Sequence, residues 1–113
     1  MLKDYGKILC EEHHNGELFC VVVACVNEGR LQIHREDYGE LEMNRRNGTV
    51  ECDYYLDEVN TGKLCDLLDV KTSTQLISGI IKKCKSRSGI SYTGNFRSLC
   101  ENNDIGYDYR VWY

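Results

Sequence analysis

A single α+β domain is what the 113 residues predict: an N-terminal four-stranded antiparallel meander, then two or three helices, then a C-terminal strand that rejoins the sheet. Three observations carry this expectation. Apolar and polar residues alternate through the first half, glycine-bearing dipeptides divide that half into ribbons, and the period lengthens to that of an amphipathic helix after Asp57. A chain of this length buries a core without staples and fits one domain. With 42% hydrophobic and 28% charged residues it lies near the globular average and carries no low-complexity tract.

The first two strands are "YGKILCEEHH" and "ELFCVVVACVN", joined at Asn15-Gly16. Asn-Gly is the strongest two-residue hairpin signal, because a type I′ turn needs positive φ at both central positions. That turn sets Leu9 opposite Val22 and Ile8 opposite Val23. Glu28-Gly29 makes the next reversal and sets Leu31 against Val26 and Ile33 against Ala24. The two registers agree on one apolar face of Leu9, Leu18, Cys20, Val22, Ala24, Val26, Leu31 and Ile33. The second strand is apolar on both faces and is therefore expected to be central. Asn47-Gly48 is the third turn, between "GELEMNR" and "TVECDYYLD", and would oppose Met43 to Cys52 and Leu41 to Tyr54.

Asp57 is a candidate N-cap for a helix carrying Leu64, Cys65, Leu67 and Leu68. Ser73 or Thr74 opens a second, with Leu76, Ile77, Ile80, Ile81 and Cys84 on one side and lysines in its last turn, where they favour the helix dipole. A third, about Tyr92 to Glu101, would bury Phe96, Leu99 and Cys100 and stop at Asn102-Asn103. "IGYDYRVWY" alternates as a closing strand, with Tyr107, Tyr109 and Val111 on one face and Asp108, Arg110 and Trp112 on the other.

The seven cysteines are odd in number, scattered, and placed where small apolar residues belong, so reduced core thiols are expected. The opening "MLKDYGKILCEEHH" is too charged for the h-region of a secretory signal. The longest apolar run, Leu18 to Val26, is too short to span a bilayer as a helix, so a cytoplasmic protein without membrane contact is expected.

The segment "CEEHHNGELFC" looks most like chemistry. On a strand, however, Cys10, Glu12 and His14 project to one side and Glu11 and His13 to the other. His13 and Cys20 share a face, but Cys20 would oppose Glu11, leaving two ligands where structural zinc takes four. The nearest further histidine, His34, lies on the opposite face beside Val23 and Cys25. A solvated hairpin tip is expected, with no metal or cofactor site. No cysteine sits beside a turn glycine at a helix start, and no glycine-rich phosphate loop is present. No catalytic residue is assigned, and an enzyme is not expected. Paired carboxylates in a cleft would be the alternative, betrayed by a bound divalent metal.

The net charge of −4 is unevenly spread. Residues Glu36 to Glu58 sum to −6, whereas Val70 to Cys100 sum to +6 and contain no acid. On the acidic side, Glu40, Glu42, Glu51, Asp53 and Tyr55 share the outward face of the last two meander strands. Carboxylates mixed with an aromatic suit a basic protein partner, and the eight tyrosines add binding anchors. The bland reading is a solubilising wet face. On the basic side, Lys82, Lys83, Lys85, Arg87 and Arg97, with Tyr92 and Phe96 nearby, would form a nucleic-acid surface; the bland reading there is a solvated helix end.

The order "EDYGELEMNRRNGTVECDYYLDEVNTGKLCDLL", a helix pair, and "FRSLCENNDIGYDYRVWY" resembles small bacterial proteins of the kind found as immunity partners of polymorphic toxins. The resemblance covers most of the chain as a pattern, without a diagnostic motif, and no family residue carries over. It implies a cognate inhibitor that covers a toxin's active site, its acids standing in for phosphates where that toxin is a nuclease. The alternative function is a small nucleic-acid-associated regulatory protein using the basic segment.

Overall fold

The computed structural model describes residues 2–38 and 50–112. In chain order the elements are β1 (Tyr5–His14), β2 (Glu17–Asn27), β3 (Arg30–Asp37), β4 (Val50–Tyr55), α1 (Glu58–Leu68), α2 (Ser73–Cys84), α3 (Gly89–Glu101) and β5 (Asp108–Trp112). The strands form one open sheet in the order β1-β2-β3-β4-β5, every pairing antiparallel. This is the expected meander with a closing strand added to its far edge. The strand at the centre is β3; β2 is interior but one place off.

Both described hairpins turn where the dipeptides require. Asn15 and Gly16 have φ of 55° and 82°, and Glu28 and Gly29 have 54° and 77°, the paired left-handed conformations of a type I′ turn. The second hairpin keeps its expected register, Val26 with Leu31 and Ala24 with Ile33. The first does not keep it throughout. Ile8 faces Val23, but Leu9 is an extra residue, so Cys10 opposes Val22 and Glu12 opposes Cys20; a second irregularity at Phe19 restores the phase before the turn. Leu18 consequently ends 40% exposed, and Phe19 packs against the core in its stead.

The β3–β4 register also differs from expectation. Cys52 lies between Arg35 and Val111, and Tyr54 between Ile33 and Tyr109, so both sides of β4 are filled by β3 and β5. The expected partners Met43 and Leu41, and the Asn47-Gly48 turn, lie outside the described residues.

All three helices pack on one face of the sheet. The core joins Cys20, Val22, Ala24, Val26, Leu31, Ile33, Cys52 and Tyr54 from the strands to Leu64, Leu76, Ile77, Ile80, Tyr92 and Phe96 from the helices. Each aliphatic side chain buried this fully contributes about 1.5–3 kcal/mol. Asp57 caps α1 by accepting from the Asn60 N–H, as expected. The cap of α2 is Thr72 rather than Ser73 or Thr74, because Thr72 forms a reciprocal capping box with Gln75. Helix α3 begins at Gly89, three residues before Tyr92, with Ser88 as its cap. Gly89 is required there: a Cβ would overlap Cys20 Sγ and crowd Val22 Cγ2 at 3.3 Å. All seven cysteines are free thiols; Cys20, Cys52, Cys65, Cys84 and Cys100 are buried, and Cys10 and Cys25 half-buried. Among the described residues no helix is long and apolar enough to cross a membrane.

Candidate functional site on the open sheet face

The face away from the helices carries Val21, Val23 and Cys25 from β2, Gln32, His34 and Glu36 from β3, Glu51, Asp53 and Tyr55 from β4, and Arg110 from β5. Alternation puts them there, each neighbouring a residue that points into the core. One of them departs sharply from a wet face. Asp53 is 4% exposed although none of the described helices covers it. Neighbouring side chains on the flanking strand seal it, which the sequence expectation of an outward, solvated acid did not anticipate.

Burying a carboxylate is costly unless it is hydrogen-bonded and paired. Asp53 Oδ1 accepts from Gln32 Nε2 at 2.8 Å and from His34 Nδ1 at 2.6 Å. The Gln32 carbonyl in turn accepts from the Cys25 thiol at 3.7 Å. On the other side of the imidazole, His34 Nε2 lies 2.9 Å from Glu36 Oε2 and 3.8 Å from Glu51 Oε1. The Tyr38 hydroxyl donates to the remaining Glu36 oxygen. The result is a continuous chain, Cys25–Gln32–Asp53–His34–Glu36–Tyr38, across β2, β3 and β4 and the start of the following segment.

Its electrostatics follow from the contacts. Burial alone would lower the His34 pKa, but hydrogen bonds to Glu36 and Asp53 outweigh it and raise the pKa above the ordinary histidine value. Glu36 is held below the usual carboxylate range by the bonds from Tyr38 and His34. Tyr38 is pushed up to about 12, chiefly by donating to Glu36. Three carboxylates, Glu36, Glu51 and Asp53, therefore surround one imidazole. Arg110, on the same face, is placed over the Tyr55 ring at 5.2 Å from its centroid.

Of the acidic residues singled out from the sequence, the structure brings together Glu51 and Asp53, with Tyr55 one pleat along the same strand; Glu40 and Glu42 lie outside the described residues. Sequence reasoning missed Gln32, Glu36 and Tyr38, and weighed His34 only as a ligand beside His13, while placing it on the correct face. The signal available was His34-x-Glu36, two residues apart on a strand and so on one face. Without the β3–β4 register nothing placed Asp53 against them.

The hairpin tip resolves differently. His13 and Glu11 meet loosely in solvent at 3.9 Å, and His14 stacks on Phe19 at 4.1 Å between ring centroids while contacting Glu12 at 3.1 Å. Glu12 is not simply solvated as expected. It turns beneath the sheet and accepts from the Gly89 N–H at 3.1 Å, placing a negative charge at the start of α3. Cys20 lies against that same helix start, a contact the sequence could not reveal. Its thiol is not activated, because burial and the neighbouring Asp37 raise its pKa.

The basic residues Lys82, Lys83, Lys85, Arg87 and Arg97 are all exposed, spread over the end of α2, the α2–α3 connection and α3. Tyr92 and Phe96, expected to interleave with them, are 2% and 0% exposed and belong to the core, so neither is available to stack on a base.

What these features define is a class by architecture: a two-layer α+β protein with helices on one face of a five-stranded sheet and a polar, acid-rich array on the other. No family model, no curated protein and no solved structure matches the chain.

Proposed function

We propose that the chain is a non-enzymatic protein-binding module, an inhibitor of the immunity type that takes a basic toxin partner on its open, acid-rich sheet face. The observation carrying this reading is the excess of carboxylates, Glu36, Glu51 and Asp53 around one imidazole, on a face that none of the described helices covers. A half-exposed Glu51 and a Tyr55 ring beneath Arg110 give a mixture of anion and aromatic surface. Such a surface steers a cationic protein and holds its guanidinium groups bidentately. Glu40 and Glu42 belong to the same proposed surface by sequence.

The test is calorimetric titration with the basic protein that co-purifies with the chain from its native host. Glu51→Lys is expected to weaken binding at least tenfold and slow association, with a steep loss of affinity on adding salt. Unchanged binding by Glu51→Lys and by a Tyr55→Ala variant would discard this face.

A second reading, a small nucleic-acid-associated regulatory protein, is favoured by one observation. Among the described residues none of the ion pairs uses Lys82, Lys83, Lys85, Arg87 or Arg97. The burial of Tyr92 and Phe96 and the net acidity weigh against it. A salt-sensitive electrophoretic shift abolished by Lys82→Glu with Lys83→Glu would decide for it.

A further inference from the structure

We propose that His34, Glu36 and Glu51 bind one divalent transition-metal ion of the zinc type on the open face of the sheet, with Asp53 orienting the imidazole from behind. This does not rest on the partner-binding reading, and its test needs no partner.

The imidazole carries the case. Asp53 accepts at His34 Nδ1 from a distance of 2.6 Å, which favours a proton on that nitrogen and leaves Nε2, on the Glu36 side, as the atom a metal ion would take once its own proton is lost. Histidine metal ligands are held in this way, the non-ligating N–H donated to a carboxylate that sets tautomer and ring orientation. Here that carboxylate is almost wholly buried, so it is committed to orientation rather than to solvent.

In front of Nε2 two further acceptors converge. Nε2 is 2.9 Å from Glu36 Oε2 and 3.8 Å from Glu51 Oε1, and the three atoms lie within 4.8 Å of one another. Three potential ligand atoms this close can share one cation. A proton on Nε2 serves Glu36 alone, leaving Glu51 beyond hydrogen-bond distance. An ion with bonds of about 2.0–2.2 Å serves all three, because tetrahedral ligand atoms then stand about 3.3–3.6 Å apart. Half-exposed Glu51, on β4, has to swing inward, and the His34–Glu36 pair has to open by a few tenths of an ångström.

Donor chemistry narrows the ion. One imidazole with two carboxylates suits zinc, cobalt or manganese, whereas magnesium and calcium take all-oxygen sets. Three protein ligands leave a fourth position for water or an incoming donor. The His13 and His14 pair at the hairpin tip lacks these properties, since its histidines are exposed and point to different carboxylates. Uptake displaces any proton on Nε2 to solvent, so affinity rises with pH.

The experiment is titration of the chelator-stripped, reduced full chain with Co2+, followed by visible absorption, and with Zn2+ by calorimetry. One saturable equivalent is expected, with a four- or five-coordinate cobalt spectrum free of thiolate charge-transfer bands. His34→Gln and Glu51→Gln should each weaken binding at least tenfold, and Asp53→Asn by about tenfold or more. The double variant His13→Ala with His14→Ala should bind as wild type. Thermal unfolding without metal shows that each variant is folded, and half-exposed Glu51 keeps the test open should a His34 variant fail to fold. The proposal is overturned by absence of saturable binding, by thiolate bands, by loss confined to the hairpin variant, or by Mg2+ binding as tightly as Zn2+ irrespective of His34.

Discussion

Two neighbouring residues of β3 show how differently one sheet treats charge on its two faces. Arg35 points toward the helices and His34 away from them. The Arg35 guanidinium donates to Asp37 Oδ2 at 3.0 Å, Thr93 Oγ1 at 2.7 Å and Cys52 Sγ at 3.2 Å, so one cation meets one carboxylate and two neutral acceptors within the chain. His34 meets Asp53, Glu36 and Glu51. The inner array is closed in charge and in hydrogen bonds and acts as part of the core. The outer one has acceptors in excess, and that excess is what makes it the candidate for recognition.

Substitutions can break this contrast at several depths. The largest effect belongs to the covered side: Phe96→Ala removes a fully buried ring in edge contact with Tyr54 and should cost about 3–5 kcal/mol in urea unfolding. Arg35→Ala, which strands the half-buried Asp37, should cost about 2–3 kcal/mol by the same measurement. Arg110→Ala on the open face should cost no more than about 1 kcal/mol, the scale of an exposed cation–π contact. Equal costs for the two arginines would dissolve the distinction between a closed and an open array.

A pH titration sharpens it. In metal-free protein the His34 ring resonances should titrate above the ordinary histidine value of about 6.5. Asp53→Asn should bring the midpoint down. The sign for stability follows from the raised pKa: the contribution of His34 is full below the unfolded-state value and is lost as pH climbs through the folded one. Glu36, with its pKa lowered, contributes in the opposite sense, above its unfolded value and not below its folded one. A His34 midpoint below the ordinary histidine value would contradict the network.

The smallest effect is a rate difference among thiols. Half-buried Cys25, on the open face, should react with a disulfide reagent in the native protein, more slowly than a free thiol because burial and Asp53 raise its pKa. Buried Cys84 and Cys100, pushed up to about 11 and about 12 by burial, should react only on unfolding. Labelling followed by mass mapping of modified peptides reads this directly.

Much of the architecture was legible from local chemistry. Asn15-Gly16 and Glu28-Gly29 named their turns because positive φ is a local demand, and Val22, Ala24, Val26, Leu31 and Ile33 declared the inner face by period alone. The bulge at Leu9 was invisible, since an extra residue in a strand has no composition of its own. Gly89 lies three residues before the expected start of the third helix, and only its packing on Cys20 shows why it opens one.

By itself the sequence determined the α+β order of elements, the two described hairpins and the apolar residues that meet the helices, because each depends on neighbours within a turn or a few positions. The tertiary structure alone decided that β4 sits between β3 and β5, and therefore that Asp53 faces His34 and Arg110 rather than solvent. A register across residues distant in the chain is set by how whole strands pack against the helix layer, and no run of neighbouring residues encodes it.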